Sequence, residues 1–179
     1  IWARNSFFFV RTCANSSLSA DIVICLSMFL LYHFWQHRAY FSVRYCPNLA
    51  LHYIEDIVEI FQKVYRTLKP GGIFLFNIEH PVFTAGVGQD WIYTDDGKPQ
   101  YWAIDNYFIT GERNTHFLGC DVVKQHHTLT QIIMGLLNNG FELKVVEEAE
   151  PPKEMMDIPG MEDELRRPMM LLVKAIAKK

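Results

Sequence analysis

An amphipathic helix, a tight turn and a buried strand follow one another near the middle of this sequence. Residues 54–68 place apolar side chains at i, i+3, i+4 and i+7, which predicts a helix with one core-facing side. Pro70-Gly71-Gly72 ends the helix, and residues 73–78 (IFLFNI) are typical of a strand buried on both faces. Together they predict half of a β-α-β unit in a parallel sheet, with residues 41–46 as its first strand.

A second helix and two more strands are predicted toward the C-terminus. Residues 129–137 have helical periodicity, with Thr128 as the N-cap and Gly140 as the stop. Residues 141–146 follow as a strand, and residues 169–177 form a final strand after a long acidic connection. This order predicts a sheet that ends with an antiparallel strand.

Residues 81–119 are rich in aromatic side chains, with Gly and Asp between them. Asp95-Asp96-Gly97 is a turn signal between two aromatic stretches and predicts a β-hairpin. An aromatic insertion placed after a buried strand is suited to form a lid or a pocket wall. A small satellite core under a long loop is the alternative, and the sequence leaves both interpretations open.

Composition divides the chain near residue 46. Residues 1–46 contain all six serines but none of the ten glycines and eight prolines. Ordinary usage predicts roughly five Gly plus Pro in a stretch of this length. We expect residues 1–46 to be an aberrant or poorly interpretable segment, such as a shifted reading frame, and within it we favour a buried strand or helix for residues 22–35. Residues 47–179 are the interpretable domain.

Charge and cysteine content exclude several classes of function. The net charge is −3, so nothing predicts attraction to nucleic acid or to an anionic membrane. The uncharged run at residues 22–35 is shorter than the roughly 20 residues of a transmembrane helix. The four cysteines form neither a CxxC pair nor a zinc spacing, which favours reduced thiols in a cytoplasmic protein without a metal site.

Three short segments carry the chemical information. They are Asn48-Leu49-Ala50-Leu51-His52-Tyr53 before the helix, Leu68-Lys69-Pro70-Gly71-Gly72 after it, and Asn77-Ile78-Glu79-His80-Pro81 after the strand. In this order and spacing, the sequence resembles the small-molecule branch of the class I S-adenosylmethionine-dependent methyltransferases. The resemblance covers residues 47–179.

The resemblance implies a Rossmann-like, doubly wound α/β sheet with an antiparallel C-terminal strand, of which this chain supplies the fourth to seventh strands. It implies methyl transfer from S-adenosylmethionine to a small-molecule acceptor and leaves the oligomeric state open. The family's glycine-rich loop has no counterpart in residues 1–46. We therefore expect the N-terminal half to be missing or aberrant and transfer to be impaired. A non-catalytic remnant or binding module is the alternative.

The resemblance also assigns residues to the cofactor. Asn48, Leu49 and Ala50 follow the fourth strand and are expected to line the methionine part of S-adenosylmethionine through their backbone carbonyls. His52 is expected to contact the cofactor as well. A capping or packing role is the alternative for His52.

Two residues after the fifth strand, Glu79 and His80, are expected to face the acceptor. A histidine here can accept a proton from an acceptor hydroxyl or amine. Shaping the turn at Pro81 is the alternative role for both residues. His126 and His127 precede the second predicted helix, where a solvated helix start is favoured over a place at the same site.

Three aromatic residues of the insertion complete the expected site. Trp91, Tyr93 and Trp102 are assigned to the wall of the acceptor pocket. Aromatic faces attract cations, so these rings are also expected to stabilise the cofactor's sulfonium.

Overall fold

The computed structural model describes residues 41–45, 51–117 and 120–179. The segment 1–40 and the candidate cofactor residues Asn48, Leu49 and Ala50 lie outside the described residues. The strands are β1 (Phe41–Tyr45), β2 (Leu68–Glu79), β3 (Gly86–Tyr93), β4 (Pro99–Ile104), β5 (Gly111–Phe117), β6 (Cys120–His126), β7 (Phe141–Glu148) and β8 (Met170–Ala177). The helices are α1 (Ile57–Thr67), α2 (Pro81–Thr84) and α3 (Leu129–Asn138), with short 3₁₀ turns at Leu51–Tyr53, Lys153–Met155 and Glu162–Arg166.

Four strands form the main sheet, in the order β1-β2-β8-β7. Strands β1 and β2 are parallel, whereas β8 runs antiparallel to both β2 and β7. The predicted parallel pair and the antiparallel last strand are confirmed. As a result, the carboxyl ends of β1, β2 and β7 lie at one edge of the sheet.

Helix α1 begins three residues later than predicted, because Asp56 caps it. The Glu59 backbone N–H donates to the Asp56 carboxylate over 2.9 Å, which satisfies one of the free amides of the first turn. At its other end, the chain passes directly into β2 at Leu68. The predicted Pro-Gly-Gly turn lies within the first part of this strand, where Gly71 has a φ of 72° and the pairing with β1 shifts register.

Helices α1 and α3 supply the core that supports β2. The Phe61 ring of α1 lies 6.1 Å from the Phe74 ring and 5.7 Å from the Phe76 ring of β2, centroid to centroid. Ile132 and Leu136 of α3 are buried in the same cluster. Burial on both faces of β2 holds only toward its carboxyl end, because Leu75 is 38% exposed.

The aromatic insertion folds as two hairpins. Strands β3 and β4 pair antiparallel on either side of the predicted Asp95-Asp96-Gly97 turn, so this hairpin is confirmed. Strands β5 and β6 form a second hairpin that the sequence did not predict. Its second strand extends to His126, seven residues beyond the predicted end of the insertion. No helix in the described parts of the chain is long and apolar enough to cross a membrane.

The junction between α3 and β7 gives a test of the fold. Gly140 has a φ of +85°, and a Cβ atom there would lie 2.7 Å from the Tyr65 ring. Gly160 has nearly the same φ, +84°, but open space around it. We expect Gly160→Ala to lower the free energy of unfolding by about 1 kcal/mol through backbone strain alone. Gly140→Ala should cost about 1–3 kcal/mol more through overpacking.

Urea unfolding of the two variants measures this difference directly. Equal losses would contradict the close packing of Tyr65 on the backbone of Gly140.

Candidate active site

The edge of the sheet where β1, β2 and β7 end carries a buried polar cluster. Its centre is Glu79, the last residue of β2, which is 6% exposed. One Glu79 carboxylate oxygen, Oε1, lies 2.7 Å from the Lys124 ammonium of β6. The His52 Nε2 atom lies 3.8 Å from the same oxygen. The three residues are distant in sequence, and the ends of β2, β6 and the 3₁₀ turn bring them together.

His52 sits in this cluster as a neutral imidazole. The side chain is 1% exposed, and neither ring nitrogen has a hydrogen-bond partner. Burial lowers the pKa of His52 to about 4, against the raising effect of Glu79. The neighbouring Tyr53 ring lies 4.5 Å away. Burial and Glu79 both raise the Tyr53 pKa, so its hydroxyl keeps its proton.

Lys124 and Gln89 are members of the cluster that the sequence did not indicate. Lys124 is 2% exposed, and its ammonium donates to Gln89 Oε1 over 3.0 Å as well as to Glu79. The ammonium also lies 5.0 Å from the centroid of the Phe117 ring. The only local signal for either residue is Gly88, which precedes Gln89 in a strand and marks an irregular backbone.

Both ring nitrogens of His80 contact groups of the protein, Nδ1 through a hydrogen bond and Nε2 through an ion-pair contact that lacks hydrogen-bond geometry. Nδ1 accepts a hydrogen bond from the Val82 backbone N–H over 3.1 Å and so caps α2. Nε2 lies 2.9 Å from a carboxylate oxygen of Glu148, at the end of β7. Burial lowers the pKa of His80, while Glu148 opposes the shift. These contacts favour the turn-shaping role that the sequence left open.

His126 and His127 are buried, so the prediction of a solvated helix start is wrong. The His126 ring bridges the Thr84 hydroxyl, at 2.7 Å from Nδ1, and the Tyr107 carbonyl, at 2.8 Å from Nε2. His127 Nε2 donates to the Ile54 carbonyl over 2.8 Å. Burial is the main cause that lowers both pKa values. The two rings tie the insertion and α3 to the rest of the fold.

Trp91 and Trp102 pack against each other in the first hairpin, and the guanidinium group of Arg167 lies over the faces of both rings. The rings pack edge to face, with centroids 5.5 Å apart. The Arg167 guanidinium carbon lies 4.3 Å from the Trp102 centroid and 5.3 Å from the Trp91 centroid. Phe83 stacks on Trp102 at 5.2 Å. This packing joins the hairpin to the segment before β8.

Tyr93 does not join this group. It is 47% exposed, and its hydroxyl donates to the Asp90 carboxylate over 2.9 Å. Within the described ranges, no three His, Cys, Asp or Glu side chains are arranged to hold a metal ion.

Comparisons with known proteins point to one fold family. The chain is similar to a protein from Listeria monocytogenes described as an S-adenosylmethionine-dependent methyltransferase, with 47% identity and a TM-score of 0.70. A methyltransferase of the same description from Mesorhizobium loti has 38% identity and a TM-score of 0.67. A third, from Clostridium acetobutylicum, shares 12% identity and a TM-score of 0.50, which concerns the fold alone.

The alignments differ in how much of each protein they include. The first two cover 76% of this chain, which spans 60% and 62% of the length of those relatives. The third covers 90% of this chain and 73% of its relative. A scan against models of protein families finds no match, and neither does a search of curated proteins. The chain has the class I S-adenosylmethionine-dependent methyltransferase fold.

Proposed function

We propose that this protein transfers a methyl group from S-adenosylmethionine to a small-molecule acceptor at the edge of the sheet where β2 ends. One observation carries the proposal. In a methyltransferase fold, buried polar groups with open hydrogen-bonding positions meet beyond the carboxyl ends of the strands, where such sheets bind ligands. The acceptor's identity and the cytoplasmic location indicated by the cysteines remain predictions.

The described residues fit one wall of a cofactor site. When bound, S-adenosylmethionine supplies an electrophilic methyl group on a positively charged sulfur. His52 has two buried ring nitrogens without a partner, and its lowered pKa keeps the ring neutral. A neutral imidazole hydrogen-bonds to the cofactor without repelling the sulfonium. We assign the remaining contacts on this side to Asn48, Leu49 and Ala50, from the sequence alone.

Glu79 is the residue that we place against the acceptor. Its Oε1 atom accepts a hydrogen bond from Lys124, whereas its buried Oε2 atom has no hydrogen-bond partner. This open oxygen orients an acceptor O–H or N–H group and accepts its proton. Holding two reactants in line contributes up to roughly 7–11 kcal/mol in favourable cases. His80, which the sequence also placed at the acceptor, fixes the turn after β2 in this proposal.

The insertion forms the side wall of the acceptor site. Trp91 and Trp102 present their edges, because Arg167 lies over their faces. We therefore propose them as a wall and not as the contact of the sulfonium. Tyr93 is exposed and forms the outer rim.

A binding module without transfer activity is the second candidate. The absence of glycine from residues 1–46 favours it, because the family's cofactor loop depends on glycine. Cofactor binding separates the two candidates.

Titration calorimetry with the 179-residue chain tests the proposed function. We expect S-adenosylhomocysteine to bind with one site per chain, and S-adenosylmethionine to bind at the same site. Adenosine triphosphate, which shares the adenosine but not the amino-acid part, serves as the control and should give no saturable heat. Absence of heat with both cofactors would favour the binding module and overturn the proposal.

The buried ion pair predicts a large stability effect. Glu79→Gln keeps the shape of the side chain but leaves Lys124 buried without a counter-charge. We expect a loss of about 3–5 kcal/mol in the free energy of unfolding. The double change Glu79→Gln with Lys124→Met should recover most of this loss. Glu59→Gln removes an exposed i,i+4 pair and should change stability by no more than about 1 kcal/mol.

Urea unfolding of the wild type and the three variants compares these values. Equal effects of Glu79→Gln and Glu59→Gln would show that the Glu79–Lys124 pair is open to solvent, contrary to the structure.

His52 predicts a loss of stability in acid. The unfolded chain protonates His52 near its ordinary pKa of 6.5, whereas the folded chain does so only near 4. Between these values the unfolded state binds the extra proton, so stability falls as pH falls. From pH 7 to pH 5, the wild type should lose about 2 kcal/mol more than His52→Gln.

Urea unfolding at both pH values provides the measurement. His116→Gln changes an exposed ring and serves as the control. Because it retains His52, it should lose as much stability between the two pH values as the wild type. An equal loss in the wild type and in His52→Gln would mean that His52 is solvated in the folded chain.

A further inference from the structure

Open hydrogen-bonding positions are concentrated around Lys124. In the described part of the chain, seven buried side-chain atoms have no hydrogen-bond partner. Four of them belong to three residues of the polar cluster: both nitrogens of His52, Oε2 of Glu79 and Nε2 of Gln89. Folded proteins leave few such atoms unpaired, because each costs free energy. A concentration of this kind indicates a place that a ligand or water completes.

The orientation of the Gln89 amide follows from its partner. The Lys124 ammonium has only donors, so the atom 3.0 Å from it must be the amide oxygen. The amide nitrogen, a donor, is therefore the atom left open. Gln89 also has a left-handed φ of 50°, directly after Gly88. Such a conformation in a residue other than glycine is uncommon and is found at functional sites.

Glu79 offers the opposite chemistry on the other side of the same ammonium. Its Oε1 atom is held by Lys124 at 2.7 Å, and its Oε2 atom is an open acceptor. Gln89 thus offers an open donor, and Glu79 offers an open acceptor. The Oε1 atom of each side chain is hydrogen-bonded to the same buried Lys124 ammonium.

The charge balance of the cluster selects the ligand further. Glu79 and Lys124 compensate each other, and His52 adds no charge. An ionised ligand group would be buried here without a counter-ion, which is costly. Two aromatic rings lie beside the ammonium, with the Phe83 centroid at 5.7 Å and the Phe117 centroid at 5.0 Å. Phe83 is already stacked on Trp102, so we assign Phe117 to a flat, apolar ligand body.

We propose that this cluster binds an uncharged amide group carried on an aromatic ring. An amide N–H of the ligand donates to Glu79 Oε2, and the amide carbonyl accepts from Gln89 Nε2. Lys124 is the positioning residue that fixes both partners. That this ligand is the methyl acceptor rests on the proposed function, whereas the binding itself does not.

Three probes of the same shape test the assignment on the 179-residue chain. Benzamide is neutral and offers both a donor and an acceptor, benzoate is anionic and offers only acceptors, and benzamidine is cationic and offers only donors. We expect benzamide to bind at least about tenfold more tightly than the other two, as the loss of one matched hydrogen bond implies. Dissociation constants from NMR titration provide the measurement.

Substitution at Gln89 should change this order in a defined way. Gln89→Glu replaces the open donor with an acceptor and adds a negative charge, so benzamidine should become the preferred probe. Gln89→Leu removes the donor that the amide carbonyl uses, so it should reduce the difference between benzamide and benzamidine without adding a charge. Gln100→Glu, an exposed change on β4 of the same hairpin, is the matched control and should keep the wild-type order. Thermal melting confirms that each variant is folded.

Two outcomes would overturn the proposal. One is that no probe binds, which means that ordered water completes the cluster. The other is that the probes bind without discrimination or that Gln89→Glu leaves their order unchanged. Failure of the proposed function has a different signature, because benzamide would then bind selectively while S-adenosylmethionine and S-adenosylhomocysteine do not.

Discussion

The buried ion pair between Lys124 and Glu79 is the interaction on which the site depends. Among the described residues, it is the pair of lysine or arginine with a carboxylate in which both side chains are less than 10% exposed. Removal of two charges from water is costly, and the mutual attraction offsets this only with good geometry. Loss of either partner would leave a charge buried. The end of β2 and the β5–β6 hairpin are therefore fixed relative to each other.

Arginine–aromatic packing holds the first hairpin from the opposite side. Arg167 lies over Trp91, Trp102 and Phe83. Its two terminal guanidinium nitrogens donate to the Glu164 carboxylate. The tryptophans form a small satellite core, one of the two interpretations that the sequence allowed. The end of the insertion near Lys124 faces the polar cluster instead. The role of the insertion as a pocket wall is part of the proposed function.

In the proposed site, the side assigned to the cofactor and the side assigned to the acceptor are both electrically neutral. His52 stays neutral because burial outweighs the attraction of Glu79. Burial also lowers the pKa values of His80, His126 and His127. A buried edge without net positive charge is compatible with a cationic sulfonium on one side and an uncharged acceptor on the other.

The sequence by itself determined the elements that local chemistry specifies. Periodicity gave α1 and α3, Asp95-Asp96-Gly97 gave the first hairpin, and three short segments between residues 48 and 81 gave the family resemblance. Each of these signals is read from residues that are close together in the sequence. Their outcome therefore changes little with the rest of the fold.

Only the tertiary structure decided the chemistry of the cluster. A lysine in a strand is normally exposed. Lys124 is buried because it pairs with Glu79, and this partner is 45 residues away in the chain. The second nitrogen of His80 meets the Glu148 carboxylate, which the fold brings from the end of β7. Burial and pairing depend on groups that are distant in sequence, and a local pattern carries no information about them.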